Sequence, residues 1–216
     1  MDPLGVVLVV AFGVFAVADW RAVWRNDQRQ RTLTKPSATV ALIAIAALAG
    51  DMDSGARTVL VLTVLLCLAG DVALLDDSSR RFLVGLGSFA LGHVAYVVTG
   101  LMVGVAWPRL AIALPLLVVL FAFQLATRML PAAARHGGAN LAAAVSGYSV
   151  VISAMVVTAV GTGSWSAGIG ATLFAVSDSM IAYNRFVRPF PLADLAVMVT
   201  YHGGQLLLVL GLIATG

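Results

Sequence analysis

LVLTVLLCLAGDVALL, residues 60–75, and GIGATLFAVSDSMIAY, residues 168–183, each carry one aspartate in an otherwise apolar run, with no charged residue within four positions of Asp71 or Asp178. Runs of this length and apolarity read as membrane-spanning helices. A carboxylate inside such a helix is costly unless it is protonated, paired or facing a wet cavity, so each aspartate is a candidate functional residue. Two of them, near matching ends of two helices, mark a candidate site.

Outward from these stretches the whole chain has the same character. Of 216 residues, 61% are hydrophobic and 11% charged, too little polar surface for a soluble globule. The composition predicts an all-α integral membrane protein with residues 1–216 as one transmembrane domain, multi-pass, in a bacterial plasma membrane. Apolar runs at roughly 4–18, 36–50, 57–75, 82–103, 109–127, 139–160, 165–184 and 192–215 predict eight transmembrane helices. Arg21, Arg25, Arg29, Arg31, Lys35, Arg80, Arg81, Arg128, Arg135, Arg185 and Arg188 fall in loops after odd-numbered spans, whereas only Arg57 and Arg109 fall on the other side. Basic residues favour the cytoplasmic face, so this asymmetry places both termini outside. It also accounts for the formal charge of +3 and argues against a nucleic-acid partner. The lone cysteine, Cys67, excludes an internal disulfide and reads as packing. Asp2 and the lack of a basic amino-terminal region argue against a cleaved signal peptide.

The two halves echo each other. Gly70-Asp71 is followed by Arg80-Arg81 and by His93, while Ser177-Asp178 is followed by Arg185, Arg188 and His202; the Asp-to-His separations are 22 and 24 residues. This spacing suggests two parallel four-helix repeats. At 1.5 Å per residue the two aspartates lie roughly 8 to 11 Å from the cytoplasmic helix ends and the two histidines roughly 17 to 18 Å. Carboxylates and imidazoles at different depths do not converge on one ion, and no HxxxH or HExxH pair exists, so no metal is expected. Two carboxyls at one depth suit acid/base work, because burial and like charge separate their proton affinities. Asp71 and Asp178 are therefore expected to line one cavity that opens toward the cytoplasmic leaflet.

The remaining polar residues each have a structural and a functional reading. Lys35, the only lysine, precedes Pro36 where the second span is expected to begin; it serves topology, or meets a phosphate at the cytoplasmic mouth with help from Arg80, Arg81 or Arg185. His93, Tyr96, Tyr148, Tyr201 and Gln205 are interhelical hydrogen-bonding residues or substrate contacts. Asp19, Asp51, Asp53, Asp76, Asp77 and Asp194 flank helix ends and are expected to be solvated. The chain contains no glutamate.

In order, these motifs resemble the YhhN family of membrane lysoplasmalogenases: Lys35-Pro36, Gly70-Asp71, FLVGLGSFALGHVAY with Phe82, Gly85, Phe89, His93 and Tyr96, then Tyr148, GATLFAVSD ending in Ser177-Asp178, and TYHGGQLL with Tyr201 and Gln205. His202 stands where the family often carries a second tyrosine, so no role carries over to it. The resemblance implies hydrolysis of the vinyl-ether bond of a lysoplasmalogen to a fatty aldehyde and a glycerophospho-ethanolamine or glycerophospho-choline. It implies no cofactor, and the partners it implies are a lysophospholipid substrate and membrane lipids. Asp71 and Asp178 become the catalytic candidates, and Lys35, His93, Tyr96, Tyr148, Ser177, Tyr201 and Gln205 the substrate-binding ones. Vinyl-ether hydrolysis suits a carboxyl pair, since it begins by protonating carbon to give an oxocarbenium ion that water captures. The alternatives are a proton-coupled lipid transporter or carrier, for which Pro115 and Gly203-Gly204 are candidate helix breaks, and a metal-dependent lipid amidase or esterase.

Overall fold

A computed structural model describes residues 3–76, 78–111, 115 and 128–216. The described residues hold seven long α-helices and no strand. They are α1 (Pro3–Trp24), α2 (Gln28–Ala47), α3 (Ser54–Ala73), α4 (Ser79–Val103), α5 (Leu130–Gly161), α6 (Trp165–Ala182) and α7 (Ala193–Ile213), with a π-helical turn at Tyr183–Val187 directly after α6. The span expected at 109–127 lies outside the described residues apart from 109–111 and Pro115, and Asp77 lies outside them too.

Among the described residues five helices, α1, α3, α4, α5 and α7, are long and apolar enough to cross a membrane. Their outward faces are apolar: Val6, Val10, Val14, Leu62, Leu65 and Leu91 are exposed, whereas Asp71, His93, Ser177 and Gln205 are buried. This inversion is what a hydrocarbon solvent selects.

Local chemistry sets the helix ends. The Asp53 carboxylate accepts from the Gly55 and Ala56 N–H groups to start α3, and the Ser78 and Ser164 hydroxyls accept from Arg81 N–H and Ala167 N–H to start α4 and α6. The start expected at Pro36 is corrected by the same physics. Asp27 accepts from Gln30 N–H at 3.0 Å and caps α2 at Gln28, so Pro36 lies inside the helix, where it removes one hydrogen bond without ending it. α5 likewise begins earlier than expected. Leu130–His136 is already helical, and the break falls at Gly137 and Gly138, the latter at φ 66° and ψ −163°, a backbone region that glycine alone adopts freely.

Glycines decide how closely the helices approach. α3 and α4 run antiparallel, with Gly70 against Phe89, Gly85 against Leu74 and Gly92 against Cys67. α6 and α7 pack backbone against backbone. A Cβ added at Gly170 would sit 2.3 Å from the Leu208 nitrogen, one at Gly204 2.7 Å from that of Phe174, and one at Gly211 2.2 Å from that of Ala167. Such small-residue seams replace the hydrophobic effect, which is weak between helices in lipid. α6 also runs antiparallel to α4, because Phe82 meets Phe186 while Tyr96 meets Phe174. These approaches carry the polar residues of α3, α4, α6 and α7 into the interior.

Candidate active site

Asp71 projects from the last turns of α3 into a knot of polar groups. Its Oδ2 accepts from the Thr39 hydroxyl at 2.6 Å and the Tyr201 hydroxyl at 2.8 Å, and its Oδ1 lies 3.3 Å from Lys35 Nζ. Asp71 is 0% exposed and Lys35 2%. The network continues as Gln205 Nε2 donates to the Tyr201 hydroxyl at 3.0 Å, and the Tyr96 hydroxyl donates to Gln205 Oε1 at 2.6 Å. Burying an ion pair demands that the remaining lone pairs be satisfied; Thr39 and Tyr201 do this for Asp71 Oδ2, while Oδ1 faces the Lys35 ammonium without a hydrogen bond from a described residue.

Asp178 belongs to a second cluster. The Tyr148 hydroxyl donates to its Oδ2, His93 Nε2 stands 3.2 Å from the same oxygen and 2.9 Å from the Tyr148 hydroxyl, and the Ser177 hydroxyl lies 3.3 Å from Oδ1. The Asp178 side chain is 12% exposed, and the surface it shows is the wall of a groove. That groove, about 800 Å³ including its open side, is lined by Leu74, Phe82, Leu86, Phe89, Met129, Val145, Tyr148, Ser149, Ile152, Ala175, Asp178, Ser179, Ile181, Ala182 and Phe186. Apolar walls with one carboxyl, one phenol and two hydroxyls suit a chain-like apolar ligand with a reacting polar bond.

No hydrogen bond among the described residues joins the two clusters. An aromatic ring joins them instead: Phe174, fully buried, lies 4.8 Å from the His93 ring and 5.2 Å from the Tyr201 ring, centroid to centroid. The expectation that both aspartates line one cavity is therefore corrected, since the groove wall includes Asp178 but not Asp71. Both carboxyls are interior, and what separates them is which neighbours the helix rotations give each one.

The depth argument that kept the histidines from the carboxylates is corrected for His93. Side chains lean toward the amino terminus of their own helix. On antiparallel α4 and α6, His93 and Asp178 therefore lean toward each other and close an axial offset that counting along each helix leaves open. His202 does stand apart from both carboxylates: its Nδ1 accepts from the Trp20 indole N–H at 3.1 Å. Lys35 is not at a mouth; it is enclosed and paired with Asp71. Tyr96, Ser177, Tyr201 and Gln205 reach the clusters but not the groove wall, so of the catalytic and substrate-binding candidates named from the sequence only Tyr148 and Asp178 face it.

Asp19 was missed. Expected at a solvated helix end, it is 0% exposed, accepts from the Thr34 hydroxyl at 3.1 Å and lies 3.9 Å from Arg31 Nε. α1 extends to Trp24, beyond the expected end near residue 18, which places Asp19 inside the helix. The signal was present: Phe12, Ala16, Asp19 and Ala22 recur at the three- and four-residue steps of one buried face. By contrast Asp76 is solvated, and the Ser78 N–H donating to it at 2.8 Å holds its carboxyl below the usual range. Among the described residues no three His, Cys, Asp or Glu side chains come together as metal ligands.

The model of the YhhN family matches residues 30–212. Lysoplasmalogenase TMEM86B of Homo sapiens is 31% identical over 179 residues, covering 81% of this chain and 74% of that protein. Lysoplasmalogenase TMEM86B of Sus scrofa is 35% identical over 149 residues, 67% of this chain and 59% of the relative, so this chain spans about three-fifths of the porcine protein's length. No solved structure matches the chain.

Proposed function

The chain belongs to the YhhN family, and from that premise we propose that it is a membrane lysoplasmalogenase, cleaving the vinyl-ether bond of lysoplasmalogens to a fatty aldehyde and a glycerophospho-ethanolamine or glycerophospho-choline. The observation that carries the reading is the Asp178 carboxyl on the wall of a mainly apolar groove, held by Tyr148 and His93. The alkenyl chain lies along the apolar wall and brings the ether to Asp178.

Asp178 acts first as an acid. Its proton goes to the vinyl carbon that is not bonded to oxygen, leaving an oxocarbenium ion beside the new carboxylate. Water then attacks the carbon bonded to oxygen and gives its proton back to Asp178. The hemiacetal so formed breaks its carbon–oxygen bond to the glycerol, releasing aldehyde and alcohol. Over the cycle one water is consumed and Asp178 is restored. Tyr148 and His93, both on Oδ2, fix the carboxyl's rotation and answer its change of charge.

Asp71 is the second member of the pair, with a different task. It lies behind the groove wall, paired with Lys35, and it holds Tyr201, whose ring packs on Phe89 and Phe174 at 5.8 and 5.2 Å. Phe89 lines the groove and Phe174 packs on His93. Asp71 is thus a positioning residue, with Lys35, Thr39, Tyr96 and Gln205 as its supports.

Eight spans, in two parallel repeats with both termini outside, are part of the proposal. The pairing supports it: Asp71 on the third span takes partners from the second, Lys35 and Thr39, and the eighth, Tyr201. Asp178 on the seventh takes Tyr148 from the sixth and His93 from the fourth. Each carboxyl so bonds to the second span of its own half and the fourth span of the other. Single cysteines at residues 21–31 and 78–81 should label from the cytoplasmic face, and labelling from outside would overturn the orientation.

Product analysis tests the activity. Purified protein mixed with vinyl-ether, alkyl-ether and ester lysophospholipids should release fatty aldehyde from the vinyl-ether lipid alone. Fatty acid released from the ester lipid, with no aldehyde, would replace the reading with an esterase.

A further inference from the structure

Burial of Lys35 leaves the substrate's phosphate without the partner first expected for it, and a different cation stands at the groove's rim. We propose that Arg185, stacked on Phe82 and flanked by His136, binds the phosphate of the lysolipid headgroup and sets how far the ether reaches toward Asp178. The proposal rests on the lysoplasmalogenase reading and names the group that recognises that substrate's polar end.

Arg185 is placed by the π-helical turn. In a continued α-helix a residue seven positions after Asp178 returns to nearly the same azimuth and Phe186 turns aside. The wider turn at Tyr183–Val187, closed by Arg188 N–H donating to the Tyr183 carbonyl at 3.0 Å, rotates the chain back. Phe186 then enters the groove wall and Arg185 moves to its edge. There the guanidinium lies 3.8 Å above the centre of the Phe82 ring. Phe82 and Phe186 both line the groove and meet edge to face at 6.2 Å.

Phe82 holds the guanidinium from one face, and no described residue bonds its N–H edges, the groups with which Arg grips a phosphate by two parallel hydrogen bonds. Among the described residues Arg185 has no acidic partner within ion-pair distance. His136 packs its ring on Phe186 at 6.0 Å, and its Nδ1 is 2.9 Å from the Ala132 carbonyl. His136 is exposed and ends the first segment of α5, directly before the break at Gly137. The two basic side chains therefore bracket the pair of phenylalanines at one end of the groove.

The spacing fits the substrate. Seven residues from Asp178 to Arg185 span roughly 10 Å of helix axis. Six bonds separate the phosphorus of a lysoplasmalogen from the vinyl carbon bonded to oxygen, a reach of roughly 8 Å. A phosphate on Arg185 accordingly sets the vinyl ether near the Asp178 carboxyl, with the tail continuing past it along Ala175 and Ile152.

Binding and turnover test this separately, using full-length protein in detergent micelles. A non-hydrolysable 1-alkyl-glycerophosphoethanolamine should bind Arg185→Gln about 10-fold or more weakly than wild type, while 1-alkylglycerol, which lacks the phosphate, should bind both alike. Arg185→Lys should fall between, because it keeps the charge and loses the fork. In turnover, kcat/KM for 1-alkenyl-glycerophosphoethanolamine should fall about 10-fold or more, with part of the loss in kcat because the ether is no longer held at Asp178, and 1-alkenylglycerol should be unaffected. Equal loss for ligands with and without phosphate would make Arg185 a packing residue on Phe82 and overturn the proposal. So would unchanged binding of both. Inorganic phosphate competing as well as glycerophosphoethanolamine would assign the rim to free phosphate rather than a headgroup. If wild type turned over neither alkenyl lipid, the lysoplasmalogenase reading would fall, and the two alkyl ligands would still decide the anchor.

Discussion

Asp178→Asn is expected to lower turnover of 1-alkenyl-glycerophosphoethanolamine by about 100-fold or more, because it removes the proton that must reach the vinyl carbon. Lipid binding and the fold should persist. An asparagine keeps the volume, its carbonyl accepts from the Tyr148 hydroxyl as the carboxylate does, and the position is partly open to the groove, so no uncompensated charge is left buried. The measurement is kcat from aldehyde release, beside the dissociation constant of the alkyl-ether analogue. His93→Gln should cost less than Asp178→Asn, since His93 orients the carboxyl without supplying the proton to carbon. Turnover that survived Asp178→Asn would remove the mechanism, whatever the binding data showed.

At Asp71 the large effect should fall first on stability. Asp71→Asn leaves the Lys35 ammonium enclosed without its counter-charge, a loss of about 3–5 kcal/mol for a broken buried pair. Activity should fall with it, because Tyr201 loses the acceptor that holds its ring against Phe89 and Phe174. Combining Asp71→Asn with Lys35→Met removes both charges, and the double variant should regain most of the melting temperature. If Asp71 is a positioning residue, kcat should return to within about 10-fold of wild type in the same variant. A double variant with restored melting temperature and abolished turnover would place the Asp71 carboxylate in the proton transfers themselves. The two aspartates would then act as a paired acid and base.

The exchange of partners between the two halves shows how much of this site reaches across the chain. Tyr201 and Asp71 are 130 residues apart, and Gln205 and Tyr96 are 109 apart. The strong local signals were legible without them. An aspartate in an apolar run is costly wherever the run packs, so Asp71 and Asp178 stood out as candidates from composition alone, and His93 and Tyr148 entered through the motif order. The same logic missed Asp19, because the end of α1 was placed too early and a charge near a helix end carries no cost that marks it. Lys35 looks like a cytoplasmic cation only if α2 begins at Pro36; with Asp27 capping α2 at Gln28, Lys35 is two turns inside the helix and faces α3.

By itself the sequence determined the solvent, the helical class and the two aspartates of the interior runs, Asp71 and Asp178, since these follow from the cost of placing a given side chain in hydrocarbon. The tertiary structure alone decided which carboxyl meets the groove, which is locked to Lys35, and which cation stands at the rim. Those outcomes depend on helix azimuth and on the lean of side chains along antiparallel helices. They depend equally on the close approach that Gly170, Gly204 and Gly211 allow. None of these is a property of a residue or of its neighbours in the chain; each arises only when helices distant in sequence are packed together.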